Sequence, residues 1–263
     1  MSEGYWQRPG PLGAVSRYAV SRSAGPRFMR PRVAAVLAAA GTAALAGCGG
    51  GTGGGSASGA SSAGMAAANA PSSYSLGQLR EALLTTVNGA RPAAAPQSGS
   101  YGSLPDIQAS KQLMHGVTVK PAKCADATVT GFNSAQFARS PASAVTFSVG
   151  RDGVSEVIVA ASPASATAAL TAELPSGCAH YDATVDGRTF VYSIKQAPLS
   201  GIAEQARALN VKAAGYATVN AWSVVFRSSS FVGAVTIVGP DASESGAKVL
   251  AQDAYAKASE SLH

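Results

Sequence analysis

Between Arg27 and Gly55 the chain reads RFMRPRVAAVLAAAGTAALAGCGGGTGGG, and this stretch confines any folded domain to the residues that follow it. Clustered positive charge at Arg27, Arg30 and Arg32 leads into fifteen uncharged, mostly small residues, Val33 to Gly47, and then Cys48. That is the outline of an export signal. The apolar run is too short for a membrane span of about 20 residues. A buried Ala-rich helix is the competing reading, but Gly41, Gly47 and the glycines after Cys48 make a poor helix interior.

The end of the run, Leu45-Ala46-Gly47-Cys48, resembles the lipobox of bacterial lipoproteins. The resemblance implies that the Cys48 sulfur receives diacylglycerol and that cleavage leaves Cys48 as the first mature residue, so the membrane is a partner through the lipid. The expected location is the cell membrane, lipid-anchored and facing the extracytoplasmic side. Residues 1–28 show neither helical nor strand periodicity, and Met29 directly precedes Arg30-Pro31-Arg32. We therefore expect translation to begin at Met29, with a long basic leader as the rival, and residues 29–47 to be the signal peptide. Residues 48–74 hold the lipidated cysteine and a Gly/Ala/Ser-rich tether, too poor in apolar surface to order itself. Its flexible-coil reach is on the order of 25 to 30 Å.

The formal charge of +6 invites a nucleic-acid reading, but its distribution removes it. Six of the twenty basic residues precede Cys48 with one acid, so the remainder carries fourteen basic against thirteen acidic residues, a net of +1. No basic patch follows, and no nucleic-acid partner is expected. With Cys48 assigned to lipid, Cys124 and Cys178 remain. An even pair in an exported chain suggests one disulfide. Two buried thiols are the alternative, while a metal site lacks further His and Cys ligands.

Residues 75–263 suffice for one domain with a real core. Ser75 and Gln78 form a capping-box signature, and Leu76, Leu79, Leu83, Leu84 and Val87 predict an amphipathic helix ended by Asn88-Gly89. Arg91 to Pro105 reads as an irregular crossing, and Asp106 to Met114 as a short helix after Pro105. Three hairpins follow. Ser143–Val149 pairs with Val154–Ala160, His180–Val185 with Arg188–Ile194 around Asp186-Gly187, and Tyr216–Phe226 with Phe231–Val238. Ser162-Pro163 opens a helix through Leu174, and Asp241 with Glu244 opens a long one ending near Leu262. Residues 202–211 fit a short helix or a loop. The expected fold is α+β: a twisted antiparallel sheet of about six strands in hairpins, helices packed on one side, and one disulfide.

Helix Leu79–Leu84, Cys124, the hairpins, Cys178 after Pro-Ser-Gly, and a last hairpin followed by an amphipathic helix together resemble the extracellular sensor domains of actinobacterial proteins of the mycobacterial PknH kinase type. The resemblance implies a sensor-like or ligand-binding ectodomain without established catalysis. Two departures stand out: a lipid rather than a spanning helix is the expected anchor, and two cysteines allow one bridge where such sensors commonly have two.

No G-x-S-x-G, H-E-x-x-H or P-loop occurs. We therefore expect no enzyme activity, no cofactor and no metal. His115 and His180 are the histidines a hydrolase would have to use, and a serine within reach in a cleft would be required. A ligand pocket, for a small molecule, lipid or envelope component, would be expected around Trp222 and Phe226, with core packing as the default for that strand. The alternative function is a protein-interaction module assisting an envelope enzyme or kinase.

Overall fold

The computed structural model describes residues 74–125, 127, 137–215 and 218–262. The upstream segment 1–28, the Met29 start, the signal 29–47, Cys48 and the tether to Ser73 lie outside the described residues, as do Tyr216 and Ala217 of the third expected hairpin. No described helix is long and apolar enough to cross a membrane.

In chain order the elements are α1 (Leu76–Glu81), β1 (Gln97–Ser100), α2 (Pro105–His115), β2 (Val117–Lys120), β3 (Pro141–Val149), β4 (Asp152–Ala160), α3 (Pro163–Thr171), β5 (His180–Val185), β6 (Arg188–Leu199), β7 (Gln205–Ala214), β8 (Thr218–Arg227), β9 (Phe231–Val238) and α4 (Glu244–Ser261). The strands form one antiparallel sheet in the order β1-β3-β4-β9-β8-β7-β6-β5-β2. Thus the described sheet has nine strands rather than about six. The three expected hairpins are its β3–β4, β5–β6 and β8–β9 pairs. The additional strands are the four-residue edges β1 and β2, and β7.

Strand β7 corrects the reading of 202–211 as helix or loop. It pairs with β6 along Val191↔Ala214 to Leu199↔Ala206 and with β8 along Gln205↔Arg227 to Ala214↔Thr218. Its alanines and polar residues carry little strand propensity, so its conformation is imposed by pairing on both sides. Asn210 within it is buried, and its side-chain amide donates to Asn220 Oδ1 (2.9 Å) and the Ala221 carbonyl (3.0 Å).

Helices pack on both faces, not one. On the first face α1 and α4 cover Phe147, Ile158, Val224, Phe226, Phe231 and Val235. On the second face α3 supplies Ala166 and Ala169 to a cluster with Val159, Val225, Val232 and Ala234. The unbroken apolar run Val224-Val225-Phe226 in β8 buries residues on both faces, and such a run requires cover on both. Further along the second face, Tyr181 and Tyr192 stack at 5.0 Å in a third cluster that includes Cys124 and Cys178. Those cysteines form the expected disulfide, with Cα atoms 5.4 Å apart, and both are fully buried.

Local signals explain the helix starts. Ser75 and Gln78 make the capping box, and the Ser162 hydroxyl accepts from Ser165 N–H ahead of Pro163. Helix α4 is capped by Ser243, which accepts from Gly246 N–H at 3.2 Å, and not by Asp241. The Asp241 carboxylate instead meets Arg151 at 3.1 Å on the surface. Helix α1 ends at Glu81, short of the expected Val87. The β-branched run Thr85-Thr86-Val87 follows, disfavouring a helix, and Asn88-Gly89 (φ 48° and 78°) makes a tight reverse turn closed by Val87 and Ala90.

Candidate functional site

A cleft of about 640 Å³ lies where the end of α3 (170–173), the end of β6 (196–199), the connection 200–204 and the start of β7 (205–207) converge. That volume is typical of small-molecule sites, on the order of 300–1,000 Å³. Helix α3 stops at Thr171, leaving terminal carbonyls without intrahelical partners. Arg207 satisfies one of them: its guanidinium donates to the Ala172 carbonyl. Strand alternation places Arg207 on the second face, opposite Pro198 and Val225. Burial lowers its pKa from the ordinary value, because desolvation penalises the charged form.

The connection between β6 and β7 is pinned from beneath by Ile202, which is 2% exposed in the first-face core. The next residue, Ala203, adopts φ 108°, a region L-residues with a Cβ rarely occupy. Such a backbone persists only when the surroundings dictate it, and it recurs at binding sites. Glu204 at the rim pairs with Arg227 at 2.8 Å, and Arg227 also donates from Nε to Gln205 Oε1 at 2.8 Å. The cleft therefore combines one half-buried cation with small apolar walls and a braced rim.

Neither aromatic expected at a pocket lines this cleft. Phe226 is fully buried, its ring edge-on to Tyr255 at 5.9 Å, and Trp222 packs half-buried against the same first-face core. Both point to the face that α4 covers, which is why they pack as core. His115 ends α2, and His180 starts β5 opposite Ser193 on the exposed first face; neither lines the cleft. Among the described residues no group of three or more His, Cys, Asp or Glu could hold a metal ion.

Sequence reasoning missed Arg207 and the connection before it, because they fall in the stretch read as helix or loop. A basic residue between Ala206 and Ala208 was the available signal. It also missed Glu156, which strand alternation puts on the same face as Val154 and Ile158. There the carboxyl is 1% exposed, accepts from Leu84 N–H through Oε2 (2.7 Å), and has no partner at Oε1 among the described residues. Burial pushes its pKa up to about 8, against smaller opposing effects of the Leu84 amide and Lys257.

No protein-family model and no curated protein matches the chain. Among solved structures it is similar to the extracellular domain of PknH from Mycobacterium tuberculosis, with TM-score 0.50 and 13% identity over 71% of this chain and 97% of that one. It is also similar to an uncharacterised Mycobacterium smegmatis protein, the Rv0999 ortholog, with TM-score 0.40 and 16% identity over 70% and 94% of the two chains. The described domain thus shares the fold of the PknH extracellular domain.

Proposed function

We propose that the protein is an exported lipoprotein, anchored through Cys48 to the extracytoplasmic side of the cell membrane, whose sensor-like, non-catalytic ectodomain binds a ligand in the cleft beside Arg207. The fold shared with the extracellular domain of PknH carries this reading. The Cys124–Cys178 bridge supports it, since disulfides persist outside the reducing cytoplasm. The cleft supports the ligand-binding half: a half-buried arginine faces a volume of small-molecule size.

The two chains of a diacylglycerol hold a protein on a bilayer where a single chain is marginal. Cys48→Ala should therefore move the protein from the membrane to the soluble fraction and remove the lipid mass. Unchanged fractionation and mass would refute the anchor. A second reading, a protein-interaction module assisting an envelope enzyme or kinase, is favoured by the first face over β6 and β7. There Val191 is 53% exposed and shares the surface with exposed Lys195 and Lys212.

A further inference from the structure

The cleft's position narrows what could reach it. The described domain begins at Tyr74, whose hydroxyl is hydrogen-bonded with Ser230 Oγ (2.6 Å) and the Leu262 carbonyl (3.1 Å). Ser230 belongs to the β8–β9 turn, and the neighbouring end of β8, Arg227, is the register partner of Gln205 in the cleft wall. The chain arriving from Cys48 thus enters the domain at the end of the sheet where the cleft lies.

The lining is amphiphilic. Leu170 and Pro198, on the same face as Arg207, supply an apolar wall. Arg207 has five N–H donors, and the Ala172 carbonyl is its one hydrogen-bond partner found among the described residues, with no carboxylate at ion-pair distance. Of the two carboxylates at the cleft, Glu204 is engaged by Arg227 and Glu173 is solvent-exposed.

We propose that the cleft takes an anionic lipid from the membrane, its headgroup on the Arg207 guanidinium and its hydrocarbon against Leu170 and Pro198. The proposal rests on the ligand-binding reading above and names the ligand class. Arginine meets phosphate or carboxylate through paired, charge-assisted hydrogen bonds. The apolar wall adds affinity in proportion to the hydrocarbon removed from water. A lipid anchor keeps the cleft within tether reach of its ligand throughout.

The test is native mass spectrometry of the full-length protein in nanodiscs of equimolar phosphatidylglycerol and phosphatidylcholine, reading the mass that stays bound after ejection. The wild type should retain one phosphatidylglycerol. Arg207→Gln should reduce retention about tenfold or more, the scale of a charged hydrogen bond. Pro198→Glu, at an exposed position opposite Arg207 on the cleft wall, should do the same without disturbing the core. Lys212→Gln, away from the cleft, should retain lipid, and thermal unfolding checks that each variant is folded.

Equal retention of both lipids, unaffected by Arg207→Gln but abolished by Pro198→Glu, would overturn the anionic headgroup and leave the ligand-binding cleft standing. Retention of inorganic phosphate or another water-soluble mass in place of lipid would overturn the lipid and likewise leave the cleft. No bound mass under any condition would overturn both. Association with the nanodisc itself reports separately on the anchor.

Discussion

Glu156→Gln should remove the pH dependence that one buried carboxyl imposes on this fold. Strand β4 places Glu156 on the first face with Val145 and Val235 as register partners, beneath the chain that leaves α1. The charged groups on the helices packed there are Arg80 and Glu81 of α1 and Glu244, Lys248, Asp253, Lys257 and Glu260 of α4, of which Lys257 acts on it electrostatically. Desolvation outweighs both Lys257 and the Leu84 amide, and the pKa rises from 4.5 to about 8. Between those values the native state keeps a proton that the unfolded state has lost. Stability is therefore complete below about pH 4.5 and falls as pH rises, by about 1.4 kcal/mol per pH unit, until ionisation of the native carboxyl near pH 8. By pH 7 the loss is about 3 kcal/mol. For a domain of this size that corresponds to about 6–12 °C in Tm.

Glutamine removes the titration while its carbonyl can still accept from Leu84. Its extra N–H meets no partner among the described residues where Oε1 now lies, and an unsatisfied donor costs about 1–3 kcal/mol at every pH. The variant should therefore be less stable than wild type at pH 5, while the gap should close and reverse toward pH 8. Urea unfolding of both proteins at pH 5, 6, 7 and 8, followed by tryptophan fluorescence, measures the difference, in which all other titrating groups cancel. A wild-type-minus-variant difference that stays constant across this range would refute the reasoning.

Two further perturbations test the core. Replacing both Cys124 and Cys178 by serine should cost about 4 kcal/mol by the chain-entropy estimate for their sequence separation of 54, read as a lower denaturation midpoint; equal midpoints would show that the bridge constrains nothing. Gly233→Ala would put a Cβ 2.3 Å from the Phe226 ring, which is fully buried and hemmed in by Tyr255. Overpacking of that kind costs about 1–3 kcal/mol or more, and calorimetry showing an unchanged Tm would mean that the ring can move aside.

The accuracy of the sequence reading followed the range of the interactions behind each feature. Asp186-Gly187 identified its hairpin because both residues must adopt positive φ in a two-residue turn, and they do, at 50° and 73°. The caps at Ser75 and Ser162 were equally legible, since cap and capped amide lie three residues apart. On α4, the expected apolar positions Ala247, Leu250, Ala251, Ala254, Ala258 and Leu262 are all buried. Asp241 misled because two cap-competent residues, Asp241 and Ser243, lie close together, and the choice depended on Arg151 some ninety residues away.

The cleft was illegible for the same reason. Arg207 acquires its role from the end of α3, the end of β6 and the strained turn at Ala203, and no periodicity within 202–211 encodes that meeting. Phe226 was visible as a large aromatic, but whether it lined a pocket or filled a core depended on which face α4 would cover.

By itself, then, the sequence determined the outline of an export signal, the composition of a tether, the disulfide candidates, the three hairpins and the positions of the helices. These are properties of residues near one another in the chain, where backbone sterics and short-range hydrogen bonds decide. The tertiary structure alone decided the strand order, the conversion of 202–211 into β7, the cover on both faces, the burial of Glu156 and the cleft at Arg207. Each depends on which distant segments come together, because desolvation and the pairing of polar atoms are set by neighbours in space.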